Sequence, residues 1–77
     1  MTKQKTDDGD VLRPADIEVM VAEIDEKKFD DEDAHRRETG MLWRIVNAIA
    51  NNKCDLPESC CKAALKSRDI EFSRWYA

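Results

Sequence analysis

Apolar residues recur at helical spacing along three stretches of the chain. Ile17, Met20, Val21 and Ile24 follow an i, i+3, i+4, i+7 pattern, and Glu18, Glu23, Asp25 and Glu26 occupy the other side. Pro14 stands where a helix can begin, because its missing N–H costs nothing in the first turn. Asp16 and Glu18 then suit the positive end of the helix dipole, and Lys27 and Lys28 the negative end. This predicts an amphipathic helix over residues 14–28. The densest apolar run is Met41 to Ala50, interrupted by one charge, Arg44. Leu42, Ile45, Val46 and Ile49 share a face there, widened by Met41 and Ala48 on one side and by Trp43 and Ala50 on the other. A second helix is therefore predicted from Asp31 or Asp33 to Asn51, continuous through Gly40, with close packing as the reason for the bare glycine. Asn51 and Asn52 tolerate the left-handed conformation that ends helices.

A third helix is predicted over residues 56–66. Asp55 and Glu58 have capping-box spacing, and Pro57 is acceptable this early in a helix. Cys60, Cys61, Ala64 and Leu65 are its expected inward face. Ser67, Arg68 and Asp69 then make a turn, and Asp69 caps a last short helix towards Trp75 or Tyr76. Residues 1–10 lack periodicity and contain Gly9, which reads as a disordered tail. The expected fold is all-α: a small three-helix bundle over residues 11–77, with a short C-terminal helix and a disordered acidic N-terminal tail.

Size changes the picture. A chain of 77 residues makes one small domain, marginal alone and commonly reliant on a staple, a metal or a partner subunit. The central stripe is wider than one helix pair covers. Leu42, Trp43, Ile45, Val46 and Ile49 are therefore expected to serve as core and as the face of a homodimer. Trp, Tyr and Arg are enriched at interface hot spots, and Arg74, Trp75 and Tyr76 place all three together as a candidate partner site.

Charge is unevenly spread. Residues 1–33 carry 12 acidic and 5 basic side chains, a net of −7, and residues 34–77 carry 5 acidic and 8 basic, a net of +3. Asp30, Asp31, Glu32 and Asp33 form an acidic cluster that could dock on a basic partner surface. The opening residues hold two lysines with no apolar stretch behind them, so no secretory signal is read. No run approaches the ~20 apolar residues of a membrane span. The expected setting is cytoplasmic, with no membrane partner.

Several chemistries find no support. Cys54, Cys60 and Cys61 are odd in number, and their C-x5-C-C spacing is not a zinc pattern; small apolar residues are the expected role, with a disulfide from Cys54 as the oxidised alternative. His35 is the single histidine and sits in a charged run, which leaves no metal pair and no triad. Two glycines give no phosphate loop. No catalytic residue, metal ligand or cofactor is assigned, and an enzyme is not expected.

The C-terminal third has a helix–turn–helix outline, with Lys62, Lys66, Arg68 and Arg74 as candidate phosphate contacts. Its Ala-Ala-Leu-Lys-Ser-Arg-Asp-Ile run resembles small phage and transposon DNA-binding modules, which implies a DNA-contacting second helix. In the register set by Ala64, however, Ser67, Arg68 and Asp69 occupy positions that want apolar, Gly and apolar residues. The function expected is a non-enzymatic regulatory protein of bacterial or phage accessory type that binds another protein. The alternatives are a small transcriptional regulator using the basic C-terminal half, and an acidic decoy for a nucleic-acid-binding surface.

Overall fold

The computed structural model describes residues 11–74. It is an all-α bundle of α1 (Pro14–Glu26), α2 (Asp31–Ala50) and α3 (Pro57–Leu65), closed by a 3-10 turn over Lys66–Asp69. The expected tail over residues 1–10 lies outside the described residues. Among the described residues no helix is long and apolar enough to cross a membrane.

Helix α1 follows its sequence pattern. Ile17 and Ile24 are fully buried, and Met20 and Val21 pack against the core from its edge. Its start is held by half of a capping box: the Asp16 carboxylate accepts the Arg13 N–H at 2.9 Å. Ahead of it, Leu12 is buried and makes a single parallel bridge to the loop between α2 and α3. Its N–H donates to the Lys53 carbonyl at 2.8 Å, and its carbonyl accepts from the Asp55 N–H at 2.8 Å.

Helix α2 is continuous through Gly40. The expected packing reason for the glycine does not hold, because a Cβ built there would meet nothing within 4 Å. Asp30 is the N-cap and accepts from the Asp33 N–H, and Asp31, Glu32 and Asp33 fill the first turn where the dipole favours negative charge. The buried row of α2 is Ala34, Glu38, Met41 and Ile45, with Ala48 half-buried behind it.

Helix α3 begins differently from the expectation. Leu56, not Asp55, is the N-cap; it sits in the left-handed region at φ 53° and makes no side-chain cap bond. Asp55 is committed instead through its backbone, its N–H to Leu12 and its carbonyl accepting from the Cys60 Sγ at 3.4 Å. The inward face is Cys60, Ala63 and Ala64, with Ser67 one turn on, whereas Cys61 and Leu65 face out. These small residues let α3 lie close to α1 and α2. After the 3-10 turn, Ile70 is extended and residues 71–74 form no helix, and Ile70 and Phe72 cover the core edge. The 3-10 turn thus stands where a bare turn was expected, and the last helix is replaced by a strap.

Candidate functional site

Helix α2 divides its apolar residues between two faces. Met41 and Ile45 point into the bundle. Leu42, Trp43, Val46 and Ile49 stay 48%, 67%, 54% and 43% exposed. At about 100° per residue these four, with Ala50, cover one outward sector about 120° wide. Of Leu42, Trp43, Ile45, Val46 and Ile49, expected to serve as core and dimer face together, only Ile45 is in the core. The apolar run is broad enough to supply two faces, and the bundle uses the one that also contains Ala34 and Glu38.

Beside that sector, two shallow clefts lie between α1 and α2. They share Met20, Glu23 and Arg44, and one opens over Gly40. Arg44, the single charge of the apolar run, therefore belongs to the α1 side and not to the exposed stripe.

The second constellation is polar and buried. Glu38 is 8% exposed although it lies in a charged stretch of sequence. Arg74 grips it with two bonds, Nε to Oε1 at 2.8 Å and Nη2 to Oε2 at 3.1 Å, and the Ser67 hydroxyl donates to Oε2 at 2.5 Å. The same Arg74 Nη2 donates to the carbonyls of Ser67 and Ile70 at 2.8 and 3.1 Å, and its guanidinium stacks 3.8 Å from the Phe72 ring centroid. Burial pushes the Glu38 carboxyl up, but the bonds from Arg74 and Ser67 outweigh it and hold the group below its ordinary value. The guanidinium is raised in turn, chiefly by its bonds to Glu38, against the opposing effect of burial. Among the described residues no buried side-chain nitrogen or oxygen lacks a partner.

This arrangement reassigns several expected site residues. Arg74, foreseen as a partner or phosphate contact, spends its donors on Glu38, Ser67 and Ile70 and keeps its side chain 34% exposed. Trp75 and Tyr76, its expected companions, lie outside the described residues. Asp30 caps α2; Asp31 accepts the Ser73 N–H at 3.1 Å; Asp33 takes Arg36 and Arg37 at 3.3 and 3.2 Å. Only Glu32 of the acidic cluster is an exposed carboxylate without such an assignment. Of the basic candidates, Lys62 pairs with Glu58 at 3.1 Å on the surface of α3, while Lys66 and Arg68 are exposed on the 3-10 turn. The three cysteines are free thiols. Cys60 is buried and its thiol is pushed up to about 12, first by burial and then by Cys54 beside it. Among the described residues no cluster of three or more His, Cys, Asp or Glu side chains is placed to hold a metal ion.

Sequence reasoning did not single out Glu38 or Ser67. The signal was present in part: Glu38 falls on the Ala34–Met41–Ile45 row, so a helix burying that row must bury Glu38 and find it a cation. No family model matches the chain, and neither the curated proteins nor the solved structures contain a significant match to it.

Proposed function

We propose that this domain is a non-enzymatic association module that binds protein through the outward face of α2. The observation that carries the reading is the exposure of Leu42, Trp43, Val46 and Ile49 side by side on one stable helix. A half-exposed Leu, Val or Ile is ordinary alone; four large apolar side chains sharing a sector with a two-thirds exposed Trp are not. Burying that sector against a partner's apolar surface releases water at about 25 cal/mol per Å², and Trp43 supplies the anchor.

The DNA-binding alternative loses ground because Arg74 is bonded to Glu38 and Lys62 is paired on its own helix. The acidic-decoy alternative loses ground because Asp30, Asp31 and Asp33 are engaged by the chain itself.

The test is chemical cross-linking in cell extract, comparing the wild-type chain with a Trp43→Ser, Val46→Ser double variant. Both positions are exposed, so the helix content of the double variant should match that of the wild type. The reading expects protein adducts of the wild type to be lost in the variant. Identical adduct patterns in the two would overturn it.

A further inference from the structure

The reading above names a face without naming its occupant. Resting on it, we propose that the occupant is a second copy of this chain, with α2 packed antiparallel on α2 across a two-fold axis through Val46.

Val46 is the midpoint of the stripe in both directions. It lies halfway along residues 42–50, and at about 100° per residue it also lies halfway round the sector between Ile49 and Trp43. A two-fold axis there sets residue 46−k of one copy opposite residue 46+k of the other. Leu42 then faces the small Ala50, and Trp43 faces Ile49. Only Val46, on the axis, meets its own copy; Leu42 is offered a small residue and the flat Trp43 ring an aliphatic one, so ridges can settle into grooves. An isologous contact must also avoid placing a charge against itself. The stripe carries none. Arg44 is two residues from Val46, about 160° round the helix, in the clefts shared with α1.

Complete burial of the stripe supplies about three-quarters of the area at which specific interfaces begin. Leu42, Trp43, Val46 and Ile49, at their stated exposures, leave roughly 450 Å² open on each copy. Two copies would bury about 900 Å² from these side chains alone, against the ~1,200 Å² at which specific interfaces begin, and the rim residues Thr39, Asn47 and Lys53 supply more. The demand is internal as well. Among the described residues the core buries five large apolar side chains, Leu12, Ile17, Ile24, Met41 and Ile45, with the rest Ala or Cys; Met20, Val21, Ile70 and Phe72 pack half-buried against it, and eight large ones remain exposed. A small domain that leaves that many large hydrophobics exposed gains by covering them, and its own copy is always present where it is made.

The experiment uses the purified full chain. Light scattering across a dilution series should give twice the 8.9 kDa chain mass. Val46→Asp should weaken that association by about a hundredfold or more, because each dimer would bury two facing carboxylates, with circular dichroism showing the helices intact. In a Cys61→Ser background, Val46→Cys lies on the axis and should join to itself under mild oxidation, whereas Arg44→Cys on the far side should not. A monomer at every concentration up to about 100 μM would overturn the proposal, leaving the association reading to the extract experiment. A dimer that ignores Val46→Asp, or in which Val46→Cys fails to join, would overturn this interface and remove the support for α2 as the binding face.

Discussion

Glu38 makes the sharpest residue-scale case. Its carboxylate is held below its ordinary pKa in the folded chain, so folding is favoured while the group is ionised. That contribution is complete at pH above the unfolded value of about 4.5 and fades as pH falls through the lower folded value. Urea titrations at pH 6 and pH 3 should show wild-type stability falling with acid, and Glu38→Gln should flatten the difference. The substitution should cost about 1–3 kcal/mol at pH 6, since it leaves a guanidinium partly desolvated. The figure stays below that of a wholly buried pair because the Arg74 side chain is 34% open to water. Gly40 points the other way. Its backbone is helical and open space surrounds it, so Gly40→Ala should stabilise by about 0.5–1 kcal/mol, read as a raised denaturant midpoint. The thiols differ by exposure: with a water-soluble disulfide reagent, Cys61 should react rapidly in the native protein and Cys60 only after unfolding.

At the scale of elements, legibility followed periodicity. Helix α1 was readable because its apolar residues make one narrow stripe and the structure buries that stripe. Helix α2 was readable in extent but not in orientation. Its run from Met41 to Ala50 is apolar nearly all round, and periodicity alone cannot say which part turns inward. The choice is made by long-range partners, Ser67 and Arg74, which sit 29 and 36 residues from Glu38. Helix α3 was misread at its start for a related reason: the Asp55 backbone is claimed by Leu12, a partner outside any local capping rule. The C-terminal strap was expected to be a helix from its local apolar content, whereas residues 70–74 are non-helical and Arg74 bonds to Glu38, Ser67 and Ile70 together. Arg74→Ala should therefore release the strap. Native hydrogen exchange should speed at the Ile70 amide, which donates to the Ser67 carbonyl, and at the Ser73 amide, which donates to Asp31, while the α1 core positions keep their protection.

The whole molecule is a small unit with little interior to spare. Its three helices converge on Ile17, Ile24 and Cys60, and the facing positions of α3 are alanines. Composition foretold this thinness. It could not say that the uncovered surface would be the outer half of α2, because that depends on which half the bundle consumes first. If association supplies the missing burial, melting should be concentration-dependent, the midpoint rising by several degrees between about 5 and 500 μM, and Trp43→Ser should remove that dependence.

The bridge at Leu12 also decides where the chain enters the domain. By binding Lys53 and Asp55 it brings the polypeptide in beside the C-terminal end of α2, whereas Arg74 takes it out beside Asp31 and Glu38, nearer the helix's other end. In an antiparallel pair those two gates come together across the axis, the exit of one copy beside the entrance of the next. Two copies could then be tethered head to tail as a single polypeptide by a short linker, and such a tandem should fold with the affinity of the pair built into its sequence.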